Sequence, residues 1–544
     1  MRLLYLIITL LFSLNILSVS AQESHDFEIS KNLDIYTSLI QQLDLHYVDE
    51  FQPGTMSKAA IDAMLKKLDP YTVYYPESMI EDVRFLQTGK YGGIGSTMHI
   101  KDGKVFVGMP YPGFPFYRAG IRAGDIIVKV NGENIENKKM SEISEHLKGS
   151  AGTELSVEYL SAKDGNLHSV KLKREEIVIQ DVPYFTTIDD SIAYVKLNGF
   201  KQKAASEVKN AIDSLNAKGN IKSVILDLRD NGGGLLIQAV NILDLFVGGG
   251  ELIVNTKGKT KKESFSYKTR RAAVYPDMKV VVLVNKNSAS ASEIVAGSFQ
   301  DLDRGVIMGQ KSFGKGLVQK VFPLSYRSQV KITVAKYYIP SGRCIQSLDY
   351  IHKDANGKAI KTPDSLMATF KTKNGRLVKD AGGIIPDIKL ETPTDNRLVS
   401  ELLYKYEIFD FATSYVNSHD TINDISNFEI NDELYNEFKE FVIADSFEFV
   451  LPIESNLKKI KLISEKENYN LDKEINALED KVKLSKQNLY IDNMGLIKPL
   501  IKQELASRYY YNAGRVEAML QDDDEVLEAV KLLKDESKYE SILK

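Results

Sequence analysis

"KVVVLVNKNSASASEIVAGSFQDL", Lys279 to Leu302, sets the fold class. A buried-type apolar strand ends at Asn285, and a helix starts within the Ser/Ala run. The same unit precedes it: "IKSVILDLR" is an apolar strand, "DNGGG" a turn, and "LLIQAVNILDLF" a helix. Upstream, "SIAYVKLNGF" reads as a strand, and "QKAASEVKNAIDSLNAKG" as a helix with Ala204, Val208, Ala211, Ile212 and Leu215 on one face. "GVIMG" downstream is a further short strand. Strands alternating with helices predict a substantially parallel sheet covered on both faces, an α/β core.

Outward from this core the character changes. Residues 31–88 have helical spacing, with Leu33, Tyr36, Ile40, Leu43 and Tyr47 in one register and a stop at Pro70. Between about Gly89 and Glu175 lie Gly clusters and short β runs, with a turn at Asn131-Gly132, a short helix at "MSEISEHLKG" and a hairpin at "TELSVEYLSAKDGNLHSVKLKRE". After "LVQKVFPL" and "QVKITVAKYYI" the pattern is β-rich, and from about Arg397 Lys- and Glu-rich helices dominate. The expected organisation is a leader over 1–21, a helical region over 22–88, a β-rich unit over 89–175, the α/β core over 176–392 and a helical domain over 393–544.

At 544 residues and 43% hydrophobic, the chain has material for several cores. Its net charge of -4 argues against nucleic acid as a partner, and the basic run Lys257 to Arg271 reads as a solvated loop. "MRLLYLIITLLFSLNILSVSAQ" has Arg2, an apolar stretch and Val19-Ser20-Ala21, the signature of an export signal. This predicts an exported, periplasmic protein, with an uncleaved membrane anchor as the alternative. Cys344 is the only cysteine, so neither a disulfide framework nor a Cys-rich metal site is expected.

Two stretches carry candidate chemistry. "GQKSFGKG", Gly309 to Gly316, is spaced like a phosphate-binding loop, but Gly316 stands where the metal-binding Ser or Thr belongs. The residues after Lys315 alternate like a strand, so neither nucleotide nor metal cofactor is expected. No histidine lies between His168 and His352, the stretch holding the strand–helix alternation, which excludes a Ser-His-Asp triad with its His inside that stretch. Any nucleophile there needs Lys or a carboxylate as its base. Ser290 and Glu293 have the Ser-x-x-Glu spacing of a capping box. The same Ser at a strand–turn–helix junction, among small neighbours and beside helix N–H groups, is also placed to attack and to have an oxyanion stabilised. The glycines of "DLRDNGGG" let backbone approach a ligand closely.

Taken in order, "DLRDNGGG", "SASASE", "SFGKGLVQ" and "GGIIPD" resemble the carboxyl-terminal processing (tail-specific) proteases, serine endopeptidases with a Ser-Lys dyad. The likeness extends from about residue 33 to 390 and includes "KLDPYTVYY" and "YGGIG...AGIRAGDIIVKVNG", which looks like a PDZ domain. It implies an α/β protease core with an inserted PDZ domain, an N-terminal helical segment and a C-terminal helical domain. It implies Ser290 as nucleophile, Lys315 as general base, Gln319 as the lysine-orienting residue, and Gly233 and Ala291 as oxyanion donors. Ser288 and Ser292 would be structural neighbours. Gly232 stands where the family often has Pro, so the register of the oxyanion glycine is open by one. On a strand, 315, 317 and 319 would share a face, letting Gln319 reach the amine of Lys315. The PDZ unit would capture C-terminal tails of polypeptide substrates on Gly92, Gly93, Ile94 and Gly95, with Ser96 to His99 as the receiving edge. The C-terminal helices would meet an adaptor or further copies of the chain. The competing reading is a catalytically silent PDZ scaffold.

Overall fold

The computed structural model describes residues 25–544 apart from 356, 391–395, 423 and 446. The expected leader over 1–21 lies outside the described residues. The described residues divide into two units at Tyr74/Tyr75.

In the first unit, residues 25–46 and Pro53–Lys66 are helical. Of the apolar face expected here, Leu33, Tyr36 and Tyr47 are exposed and Ile40 and Leu43 half-buried. Past Pro70 the turn is fixed by Asp69, whose carboxylate accepts the N–H groups of Tyr71 and Thr72.

The second unit holds the α/β core. Its six-stranded sheet runs in the order Tyr184–Ile188, Ile192–Lys196, Ser223–Asp227, Lys279–Val284, Val306–Gly309, Ile388–Lys389. The first pair is antiparallel and the rest parallel. Alternation along each strand divides the apolar side chains between two layers. Ala193, Val195, Val224, Leu226, Val280 and Val282 face the helices Ala204–Asn216, Leu236–Leu243 and Ala291–Asp301. Tyr194, Ile225, Val281, Leu283, Val306 and Met308 face the opposite way, against Val526, Val530, Leu533 and Tyr539. Both faces are covered, as the alternation predicts, but the second cover comes from the end of the chain. The helices Asp524–Lys534 and Glu536–Leu543 are therefore a layer of this sheet as well as the end of the helical region. Tyr539 hydrogen-bonds both the N–H and the C=O of Val280.

A second sheet joins Leu252–Gly258, Ser266–Lys268, Leu317–Pro323 and Gln329–Tyr338. It corrects the reading of Lys257 to Arg271 as a loop. That run closes a hairpin in which Asn255 pairs Ser266, and Lys257 stacks over Tyr338.

The β-rich unit is inserted between the ribbon strands Lys90–Gly93 and Glu175–Val178, which pair antiparallel. Its sheet begins at an edge strand, Ser96–Lys101, and continues through Lys104–Pro110, Ile126–Val130, Glu154–Leu160 and Leu167–Lys173. Asn131 and Gly132 both have positive φ (52° and 82°), as the tight turn requires. The helix Met140–Leu147 buries Ile143 and Leu147 in this unit's own core.

The edge strand also meets the helix Glu407–Ser418. The His99 ring stacks on Tyr406 at 4.0 Å and meets Phe409 edge-on at 4.5 Å. Lys101 binds Asp410 and lies 3.7 Å from Glu407 and 3.8 Å from Asp445. Burial pushes the Glu407 carboxyl up to about 7, and burial with nearby Arg508 and Lys101 pushes His99 down to about 4. The two act in opposite senses. Glu407 titrates above its ordinary 4.5, so its contribution is full below that value and is lost as pH rises through 7. The contribution of His99 is full above 6.5 and is lost as pH falls through 4. Comparing Glu407→Gln with the parent chain cancels the histidine. The variant is expected to melt several degrees higher at pH 8 and at the same temperature at about pH 4, read by differential scanning calorimetry at both pH values.

Candidate active site

The parallel strands Lys279–Val284 and Val306–Gly309 are neighbours, so the loops leaving their carboxyl ends emerge side by side. One loop carries Ser290, the other Lys315. Ser290 stands immediately before the helix Ala291–Asp301 with φ 58° and ψ −112°, a conformation unusual for a residue with a side chain.

This turn is held from three directions. Ser288 Oγ donates to Leu228 O at 2.8 Å, and Ser292 Oγ to Asn231 O at 2.8 Å. Both expected structural serines thus tie the serine turn to the "DLRDNGGG" turn, and Ala289 N–H adds a third bond to Asn231 O. From below, buried Tyr337 donates its hydroxyl to Ser290 O at 3.1 Å. The third hold is Glu293. Its carboxylate accepts the N–H of Ser290 at 2.8 Å, the capping-box bond, and on the lysine loop the Ser312 hydroxyl at 2.6 Å and the N–H groups of Gly314 and Lys315 at 2.7 and 2.8 Å. Glu293 is fully buried. Burial pushes its carboxyl above the ordinary range, against the four donors that pull it down.

The lysine loop is not a phosphate cradle, since the strand Leu317–Pro323 succeeds it where a phosphate loop has a helix. Gly314 has φ 87°, and a Cβ there would fall 2.6 Å from Ser347. Gly316 donates its N–H to Gln346 Oε1 at 2.7 Å. The sharing of one strand face by 315, 317 and 319 needs correction. Lys315 precedes the strand, so its side chain lies outside the alternation, and the pairing skips Val334 of the partner strand opposite Val318 and Gln319. Gln319 Nε2 donates to Thr333 Oγ1 at 3.3 Å. Even so, Ser290, Lys315 and Gln319 line one cavity of 610 Å³, with Ala291 and Gly232 to Gly234 on its rim and Leu236, Ile294 and Val318 among its apolar walls.

Gly233 lies against the serine turn. A Cβ on it would be 2.6 Å from Ala289 O and 2.8 Å from Ala291 N, and its φ is 95°. The two expected oxyanion positions are therefore adjacent. The Gly233 N–H, however, donates to Asn231 Oδ1 at 2.9 Å, so in this conformation that donor is engaged within its own turn.

At the expected tail-binding loop, Gly92 and Gly93 belong to the ribbon strand, and the Gly92 N–H donates to Glu81 at 3.0 Å. Among the described residues, no group of three or more His, Cys, Asp and Glu side chains is set to hold a metal ion.

The family resemblance singles out Ser290, Lys315 and Gln319, while the sequence leaves Glu293 as a helix cap and gives no role to Tyr337, Asn231 or Gln346. The capping-box spacing is a usable signal for Glu293. Nothing local marks Tyr337, which is one alternating residue in a strand 47 positions away. Glu293→Gln would turn an amide N–H₂ toward donors. It is expected to cost about 2–4 kcal/mol of stability, read by urea unfolding.

Three family descriptions match the chain: "Peptidase family S41" over residues 191–357, "PDZ domain" over 106–160, and "Probable PDZ-protease, C-terminal helical domain" over 398–533. A carboxy-terminal-processing protease of Bartonella bacilliformis is 32% identical over 339 residues, covering 62% of this chain and 77% of its own. A "Probable CtpA-like serine protease" of Staphylococcus aureus strain MSSA476 is 31% identical over 456 residues, covering 82% and 85%. Among solved structures, the photosystem II D1 C-terminal processing protease aligns with 26% identity over 66% of this chain and 94% of its own, at a TM-score of 0.35.

Proposed function

The chain belongs to the PDZ-bearing carboxy-terminal-processing serine peptidases of family S41, and from that premise we propose that Ser290 is its nucleophile and Lys315 the general base. The observation that carries this reading is the cavity that Ser290, Lys315 and Gln319 share, with Ser290 at a strained helix N-terminus. In the proposed cycle the neutral Lys315 amine takes the Ser290 hydroxyl proton as Oγ bonds to the scissile carbonyl carbon. The carbonyl oxygen becomes an oxyanion facing the Ala291 N–H and the glycine turn. The C–N bond then breaks, the departing amine takes the proton from Lys315, and an acyl-enzyme remains. Water, deprotonated by Lys315, attacks the ester carbon; the bond from that carbon to Ser290 Oγ breaks, the carboxyl product leaves, and Oγ takes the proton back from Lys315. Gln319 is a neutral neighbour for the amine, where a carboxylate would favour the protonated lysine and disable the base.

Substrates, on this reading, are polypeptides with exposed apolar C-terminal tails, added as a strand along Ser96–Lys101. Since the Gly92 N–H is held by Glu81 and Gly93 pairs Glu175 in the ribbon, capture of the tail carboxylate falls to the next residues, Ile94 and Gly95. Among the described residues no helix is long and apolar enough to cross a membrane. Export to the periplasm through the leader over 1–21 completes the proposal.

Ser290→Ala and Lys315→Ala are each expected to lower cleavage of an apolar-tailed protein by at least about a thousandfold while leaving binding of the tail peptide unchanged. A serine-reactive phosphonate should label the parent chain and not Ser290→Ala. Residual cleavage near the parent rate by either folded variant contradicts the assignment.

A further inference from the structure

Arg229, in the "DLRDNGGG" turn, is held between carboxylates from distant parts of the chain. On the core side is Asp227, fully buried at the end of the strand Ser223–Asp227. Its Oδ1 accepts the Arg229 backbone N–H at 2.9 Å and Nε at 3.0 Å, and its Oδ2 accepts Nη2 at 2.7 Å. Tyr194 and Lys196 also reach Asp227, and Lys196 Nζ donates to Arg229 O at 2.9 Å. On the outer side is the C-terminal layer. Asp523 Oδ1 and Oδ2 accept Nη1 and Nη2 at 3.0 and 2.6 Å, and Glu525 Oε2 accepts Nη1 at 2.8 Å. Asp523 also caps the helix Asp524–Lys534, accepting the N–H groups of Glu525 and Val526.

The mechanical path from this clamp to the serine is short. Next to Arg229 are Asp230, whose φ is 62°, and Asn231, whose carbonyl accepts Ala289 N–H and Ser292 Oγ on either side of Ser290. Leu228 O accepts Ser288 Oγ. The Asn231 side chain accepts the Gly233 N–H and donates to the Leu197 C=O. A guanidinium gripped bidentately on two sides has one orientation. Release of the outer grip leaves the guanidinium held by Asp227 alone and the adjoining backbone without its tie to the C-terminal layer.

We infer that Asp523 is a positioning residue for peptide-bond hydrolysis: through Arg229 it fixes the Asp227-to-Gly233 turn against Ser290, so that the C-terminal helical layer completes the catalytic unit. This rests on Ser290 being the nucleophile.

The test compares Asp523→Asn, Glu525→Gln and Asp524→Asn in the full chain. Asn at 523 keeps a helix-capping side chain of the same size and removes the charge. Asp524 is exposed one position along the same helix and touches nothing in the network. The readouts are kcat and KM on an apolar-tailed peptide, and Ki for a peptidyl boronic acid, whose adduct with the serine needs the oxyanion donors. Asp523→Asn is expected to lower kcat at least tenfold with KM within twofold, and to raise the boronate Ki at least tenfold. Asp524→Asn should change none of the three. A smaller folded fraction would lower apparent kcat and leave Ki alone, so Ki separates misplacement from instability. Should Asp523→Asn not fold, Glu525→Gln, which keeps the cap, is read instead, with an expected three- to tenfold rise in Ki. An unchanged Ki in the folded variant overturns the inference. Failure of a serine-reactive probe to label Ser290 in the parent chain overturns the nucleophile assignment instead.

Discussion

The carboxylate of Glu293 is the constraint on which the site depends. Ser290 and Lys315 belong to loops that leave different strands, and a parallel sheet alone brings such loops only to the same edge. Glu293 closes the gap by accepting donors from both loops at once. An ionised carboxylate out of water costs several kcal/mol, which only complete hydrogen bonding offsets. Because all four donors converge on a side chain with no access to solvent, any shift of one loop leaves a buried polar group unsatisfied. The site is therefore specified by the cost of every alternative arrangement as much as by the strength of its own contacts.

The same logic extends outward. The glycine turn and the serine turn are bound to one another by the Ser288 and Ser292 hydroxyls, and the close approach of Gly233 to Ala291 leaves no room for a side chain between them. Strands that are apolar on both faces cannot stand uncovered, and helices from the core itself cover only one. The chain answers with its own last helices, and Asp523 at their start reaches the outer side of Arg229. Covering the sheet and bracing the turn are thus performed by a single segment.

What the sequence made legible was local. The alternation of strand and helix, the serine at a strand–helix junction, the Gly-rich lysine loop and the Asn131-Gly132 turn are all readable from residue type and spacing within a few positions. What it left hidden depends on partners far apart in the chain. The helix around Val530 and Leu533 reads as amphipathic, but nothing in its pattern says that its apolar face meets Ile225 and Val281. Lys315 reads as the start of a strand but precedes it, a boundary invisible to alternation counting, and this removes the simple face argument. Glu293 is visible only as a cap, because three of its four donors lie at least 19 residues away.

The inserted unit shows the opposite balance. It is joined to the core by a two-stranded ribbon and meets the helix Glu407–Ser418 through a contact whose buried groups are incompletely paired: His99 Nε2 and Glu407 Oε2 have no hydrogen-bond partner. Three carboxylates share the one amine of Lys101 there. The strand that makes the contact, Ser96–Lys101, is also the free edge of its sheet. Its side chains His99 and Lys101 are committed to the helix. An added strand would therefore engage the very segment that anchors the unit, while the loops around Ser290 stay fixed by a network in which no bond is spare.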